Sequence, residues 1–277
     1  MLEVLSRKHN LILQGAPGTG KTWLAKRLAY ALVGTKPAPT VRSVQFHPNI
    51  SYEDVVCGWR PGGTGKLERV EGPLMEAARC AHENPDIPVV LVIEEINRGN
   101  PAQIFGEMLT LMEGTKREPS DALRLAHLRS DEPAFWLPKN FFVIGTMNVA
   151  DRSLAIVDFA LRRRFAFVEL EPCFNGCWFE HVTTQRGMPR NFGMAIQSGM
   201  AILNRMIEED QNLGRGFRIG HSFFVPPSGP NRGRDWHAWF RAVLETEIRP
   251  LLEEYWYDSP EQVRQGLDTL RIGLEGV

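Results

Sequence analysis

The chain has 277 residues, 43% of them hydrophobic and 23% charged, with a net charge of −1 at neutral pH. That length holds one large domain or a large domain with a small companion, with enough apolar material for a buried core. The near-neutral balance offers no global basic field for nucleic acid, and no apolar run reaches membrane-span length.

The N-terminus lacks a secretory apolar region, so a cytoplasmic protein with no membrane partner is expected. Of the four cysteines, Cys57, Cys80, Cys173 and Cys177, the last two form "CFNGC" without a second Cys/His pair at zinc spacing. Reduced thiols follow from that. Basic residues cluster locally, at "LRRRF" (161–165) and "GRGFRIGH" (214–221).

The first apolar run, "NLILQG" (10–15), leads directly into "GAPGTGKT". Gly15, four residues, then Gly20, Lys21 and Thr22 match the phosphate-binding loop spacing, between a strand and a helix as that motif requires. Glycines let the backbone of Gly15, Ala16, Pro17, Gly18, Thr19 and Gly20 turn tightly and aim N–H groups at phosphate oxygens. Lys21 would reach the β- and γ-phosphates, and the Thr22 hydroxyl would hold Mg²⁺. In "KTWLAKRLAYALVG", Leu24, Leu28, Ala31 and Leu32 recur at helical spacing until Gly34 and Pro37 stop the helix.

A second strand is predicted at "VRSVQFH" (41–47), followed by an insertion near 48–70 that projects from the core. Within it, "RPGGTGKLE" (60–68) imitates the phosphate loop. However, Arg60 stands where the first glycine belongs, Leu67 replaces the hydroxyl residue, and no apolar strand precedes it, so a mobile loop is expected. A helix follows at "GPLMEAARCAHE" (72–83).

The third strand, "IPVVLVIEE" (87–95), ends an apolar run on two adjacent carboxylates. Burying either charge unpaired would cost several kcal/mol, so both should face something cationic. Beside a phosphate loop, Glu94 would hold Mg²⁺ through water and Glu95 would orient and deprotonate the attacking water. Position 94 is usually aspartate in such strands, and the extra methylene suits a water-mediated contact.

One helix is predicted over "PAQIFGEMLTLMEG" (101–114). The alternation of Leu123 and Leu125 with Phe135 and Leu137 suggests a hairpin inserted over 115–138, with a disordered loop as the competing reading. The fourth strand, "FFVIGTMN" (141–148), ends on Asn148, a candidate to position water; a turn-forming asparagine is the alternative. In "ADRSLAIVDFALRRRF" (150–165), Leu154, Val157 and Leu161 fall at helical spacing and place the arginines at the helix's C-terminal end. There they complement the helix dipole or act as an arginine finger toward a neighbouring subunit's nucleotide.

A fifth strand, "RFAFVELE" (164–171), closes the alternation. Apolar strands alternating with helices predict an α/β core with a parallel sheet covered on both faces. Beyond about residue 172, "AIQSGMAILNRMIEED" and "WHAWFRAVLETEIRPLLEEYW" read as helices only. The expected division is a nucleotide-binding core over 1–172 and a smaller helical domain over 173–277. In "IGHSFF", His221 and Ser222 are candidates for a contact to nucleotide, against a buried histidine capping the next helix. Trp236, Trp239 and Trp256 read as core of the helical domain.

Together these residues resemble an AAA+ NTPase. More narrowly, "FHPNISYEDVVCGWRP", "EEINRGNPAQIFGEMLTLME", "GTMNVADRSLAIVDFALRRRF" and "IGHSFF" are similar to the McrB family, motor subunits of modification-dependent restriction systems. "MNVADRS" matches the family signature M-N-x-x-D-R-S. The resemblance implies a sheet order of 5-1-4-3-2, a helical lid, and a ring, usually a hexamer, with nucleotide at subunit interfaces. It also implies a McrC-like nuclease partner and DNA engaged through another domain or subunit.

Carried over residue by residue, positions 15–22 are the phosphate loop, Glu94 and Glu95 the acidic pair and Asn148 the sensor. Asp151 and Arg152 belong to the signature loop, and Arg163 and Arg164 are finger candidates, with Arg162 weaker. The family often carries an N-terminal DNA-reading domain that this stretch lacks. A piece of a longer protein, a short homologue, or a subunit whose reader lies elsewhere would each account for that. No nuclease chemistry is evident.

The residues leave GTP and ATP both open, and the resemblance favours GTP. "NVAD" is like the N-K-x-D that reads guanine in small GTPases, but Asn148 ends a strand expected beside the phosphate loop, too near the γ-phosphate to reach a base. A MoxR-like chaperone and a nucleotide-gated scaffold with little turnover are the other readings.

Overall fold

A computed structural model describes residues 1–36, 38–63, 65–151, 159–228 and 235–272. In chain order the first part comprises α1 (Leu2–Lys8), β1 (Asn10–Gly15), α2 (Lys21–Val33), β2 (Val41–Gln45), α3 (Tyr52–Val55), β3 (Cys57–Pro61) and β4 (Leu67–Glu71). It continues with α4 (Pro73–Glu83), β5 (Val89–Glu94), α5 (Pro101–Phe105), α6 (Met108–Leu111), β6 (Phe141–Asn148), α7 (Phe159–Arg164) and β7 (Ala166–Leu170). The remainder holds α8 (Gly176–Glu180), α9 (Arg190–Glu209), α10 (Trp236–Val243), α11 (Arg249–Tyr255) and α12 (Pro260–Ile272), with no strand among the described residues. None of the described helices is long and apolar enough to cross a membrane.

Five strands form one parallel sheet in the order β2-β5-β6-β1-β7, which is the expected 5-1-4-3-2 when only these five are counted. Every residue of β5 except Glu94, and every residue of β6 except Asn148, is buried. Continuous apolar runs of this kind are what a strand covered on both faces requires. Fully burying each Leu, Ile or Phe there contributes about 1.5–3 kcal/mol. Registers running from Val41 opposite Val90 to Gln45 opposite Glu94, and from Val89 opposite Phe141 to Ile93 opposite Gly145, bring the polar ends of β5 and β6 to the sheet's carboxyl edge. That edge is where open α/β sheets place ligands.

The chain groups into two compact units, Met1–Gln14 with Lys21–Glu169, and Gly15–Gly20 with Leu170–Val277. In the first, α2 buries Ala25, Leu28 and Ala29, and Ala31 is exposed, so the apolar stripe is rotated from the predicted one. Helix α4 starts on Pro73, a residue suited to the first turn, and buries Leu74, Met75, Ala77, Ala78 and Ala81. In the second unit, Phe192, Ile196, Met200, Leu203 and Ile207 line one face of α9 and pack with Leu252, Trp256 and Leu267. The Trp256 indole N–H donates to Asp210 Oδ2 at 2.9 Å, and Trp236 and Trp239 are half-buried against the same cluster, so these tryptophans belong to the core.

Three segments differ from expectation. The helix over 101–114 is broken into α5 and α6 at Gly106, whose φ of 50° and ψ of −131° lie in a region open to glycine. The two ends of the glycine-rich stretch 60–68 belong to strands of an antiparallel hairpin, β3–β4, with Arg60 opposite Glu68 and Cys57 opposite Glu71. The 115–138 insertion pairs Leu123 with Phe135 as predicted, but through a single bridge, each residue donating to the other's carbonyl at 2.8 Å.

Candidate active site

At the carboxyl edge of the first unit, β5 ends on Glu94 and the chain turns sharply at Glu95, a non-glycine residue with a φ of 55°. The left-handed conformation costs about 1–2 kcal/mol for a side chain of this kind. It is pinned from both sides. The Glu95 N–H donates to Thr146 Oγ1 at 3.2 Å, the Ile96 N–H to the Thr146 carbonyl at 2.9 Å, and the Phe46 N–H to the Glu94 carbonyl at 2.9 Å. Backbone strain held in place this way concentrates where a side chain must be aimed.

The two carboxylates meet different cations. Glu94 Oε1 lies 2.9 Å from Lys26 Nζ, one turn into α2. Glu95 Oε2 lies 3.6 Å from Arg98 Nε, a charge contact too long for a hydrogen bond. That oxygen is buried without a hydrogen-bond partner among the described residues. Arg98 also reaches Asp151 Oδ2 at 3.9 Å, so one guanidinium lies between Glu95 and Asp151. Burial pushes the Lys21 ammonium down to about 8, and the Glu95 carboxylate partly offsets it.

Asn148, the last residue of β6, accepts the Ala150 N–H on Oδ1 at 3.3 Å, a turn contact, and its carbonyl accepts from Asn97 Nδ2 at 3.3 Å. Asn97 is buried, with Oδ1 unpartnered among the described residues. Arg152, with Leu154 and Val157, lies outside the described residues. In α7, Arg162 and Arg163 are exposed, the former over the Phe167 ring at 5.7 Å. Arg164 is only 14% exposed and is spent inside its own unit, with Nη2 2.8 Å from Glu113 Oε1 and Nη1 donating to the Ala160 carbonyl at 2.9 Å.

The loop Gly15–Gly20 leaves β1 and enters α2 at Lys21, and it groups with the second unit. Gly18 and Gly20 have φ of 74° and 79°, so the two turns of the loop need residues without a Cβ. Thr19 Oγ1 donates to the Ala16 carbonyl at 2.9 Å and closes the loop on itself. Lys21 and Thr22 open a 13-residue helix whose dipole favours an anion at that end.

The residues present suit Mg²⁺. Glu94 and Glu95 are hard oxygen donors, Glu95 Oε2 is buried without a hydrogen-bond partner among the described residues, and the Thr22 hydroxyl stands at the helix start. Lys26, Asn97 and Arg98 are the residues that sequence reasoning missed. Arg98 was signalled by its position three after Glu95 in "EEINRGN".

The sheet order, the loop and the strand-end acids define an AAA+ nucleoside-triphosphatase domain. The family described as "AAA domain (dynein-related subfamily)" matches residues 10–165, and "McrB, alpha-helical lid domain" matches residues 195–264. The chain therefore belongs to the AAA+ family, and its domain is of the McrB type.

It is 42% identical over 94% of its length to the "Type IV methyl-directed restriction enzyme EcoKMcrB subunit" of Escherichia coli K12, covering 56% of that protein. It is 30% identical over 59% of its length to the "Type II restriction enzyme BsuMI component YdiS" of Bacillus subtilis 168, covering 57% of that protein. The chain thus spans just over half the length of these curated relatives.

Proposed function

We propose that the chain is the motor domain of a restriction system, hydrolysing GTP in preference to ATP. The observation that carries this is Glu95, whose buried carboxylate oxygen has no hydrogen-bond partner among the described residues on a strained, pinned strand end, electrostatically coupled to Lys21. In this reading residues 15–20 cradle the phosphates with main-chain N–H groups and Lys21 reaches the β- and γ-phosphates. Thr22 and, through water, Glu94 hold Mg²⁺, which when bound neutralises charge on the β- and γ-oxygens.

Glu95 takes a proton from the attacking water, and Asn148 orients that water. Arg98 is the positioning residue that ties Glu95 to Asp151, with Arg152 completing the signature loop. Arg163 is the finger presented to a neighbour's nucleotide, because Arg164 is already engaged by Glu113. The core spans 1–172 and the lid 173–277, and the working form is a cytoplasmic ring, hexameric in this reading. A McrC-like nuclease subunit accelerates turnover, and DNA is engaged through another domain or subunit. Names of the relatives support the restriction setting.

The test is steady-state turnover of Mg·GTP and Mg·ATP by the full chain, with and without DNA and the nuclease subunit encoded beside it. GTP hydrolysis that rises with the nuclease subunit is expected. ATP hydrolysis stimulated only by a protein client would favour the chaperone reading, and absence of turnover under every condition would leave the scaffold.

A further inference from the structure

The short turn His221–Phe224 lies in the same compact unit as the loop Gly15–Gly20 and is bonded to it. The Gly220 N–H donates to the Pro17 carbonyl at 2.8 Å and the Ser222 N–H to the Gly18 carbonyl at 2.9 Å. Packing is equally close. A Cβ on Gly18 would stand 2.5 Å from the Phe223 ring, and one on Gly220 would overlap the Gly18 carbonyl. Two carbonyls of the phosphate loop are thus held from outside by residues 220–223.

His221 is oriented by the same turn. Its Nδ1 accepts the Cys173 N–H at 3.2 Å, so in the neutral ring the proton sits on Nε2. Burial lowers the imidazole's pKa and favours that neutral form. The Phe174 ring stands edge-on at 6.4 Å and limits the ring's rotation. A Cβ built on Gly20 would meet one heavy atom within 4 Å, His221 Nε2 at 4.0 Å, so the space beside Gly20 is bordered by a ring N–H donor. An oriented donor beside the glycine that precedes Lys21 fits a phosphate oxygen, the ligand chemistry of the loop itself.

We propose that His221 is a nucleotide-binding residue, donating from Nε2 to a phosphate oxygen beside Gly20, and that residues 220–223 are the strap that gives the phosphate loop its binding shape. The proposal rests on the nucleotide reading above and names a contact that reading does not need. It predicts that the loop cannot bind phosphate normally once the strap is disturbed, even with every residue of 15–22 intact.

Calorimetry on the full chain, with GTP, GDP, ATP and ADP as probes, tests it. His221→Ala should weaken di- and triphosphate binding about tenfold or more, the loss expected for a hydrogen bond to a charged group. His221→Gln, which keeps an N–H donor, should recover most of that. The ¹⁵N resonance of His221 Nε2 should shift on saturation with GDP or ADP, which a merely structural imidazole would not show. Gly220→Ala should lose phosphate affinity while far-ultraviolet circular dichroism stays unchanged.

Wild-type affinity in His221→Ala would overturn the proposal, as would equal losses in the Ala and Gln variants with an unmoved resonance. Wild-type protein that binds none of the four probes would instead defeat the nucleotide reading on which it rests.

Discussion

Three consecutive arginines end α7, and their surroundings separate them. Arg164 is tucked against Glu113, Arg162 lies over Phe167, and Arg163 is exposed. If Arg163 is the finger proposed above, Arg163→Ala should leave thermal stability unchanged and lower turnover by about 10³-fold or more. Arg164→Ala should do the reverse, destabilising the fold by about 1–3 kcal/mol through the stranded Glu113 carboxylate. Thermal melts read beside turnover assays check both. In the sequence the three were equivalent, because nothing in "LRRRF" says that Glu113, some fifty residues earlier, claims one of them. Lys26 escaped notice for the same reason, since its partner Glu94 lies far along the chain. Glu94 and Glu95 did announce themselves, since two acids closing an apolar strand must meet cations. Their strained turn did not, because a positive φ leaves no mark on a glutamate.

At the scale of elements, β1, β5 and β6 were legible because their apolar runs are long and buried, and β1 and β6 were read to the residue. Strands β2 and β7 carry polar residues and are partly exposed, and were legible by their place in the alternation of strands and helices. The β3–β4 hairpin was not, because β4 is largely exposed and its turn is rich in glycine. Backbone pairing holds the hairpin, and Arg69 ties it to the 115–138 insertion through Glu132 at 2.9 Å. The 115–138 insertion is likewise fastened by one residue that no pattern singled out. Arg117 is 2% exposed, and burial lowers its pKa to about 10. It donates to Asn10 Oδ1 at 3.0 Å and to the carbonyls of Phe141 at 3.1 Å and Met112 at 3.2 Å. These bonds join the insertion to β1, β6 and the end of α6. Arg117→Met would fill similar volume and strand those acceptors, so a loss of about 3 kcal/mol is expected in urea unfolding. An unchanged midpoint would mean that water replaces the guanidinium.

Across the whole molecule, residues Gly15–Gly20 group with the second unit, although β1 before them and α2 after them belong chiefly to the first. Periodicity could separate an α/β part from a helical part, but it could not show that six residues near the N-terminus group with residues beyond 170. The 5-1-4-3-2 strand order came from resemblance rather than spacing, since a parallel sheet alone permits several crossovers. Glu95→Gln tests the central claim most directly, by nucleotide affinity and hydrolysis measured on one preparation with Mg²⁺. The amide keeps the side chain's size and removes its basicity. Affinity for GTP or ATP should match the wild type, with hydrolysis slower by about 10²-fold or more. Hydrolysis at the wild-type rate would contradict the account.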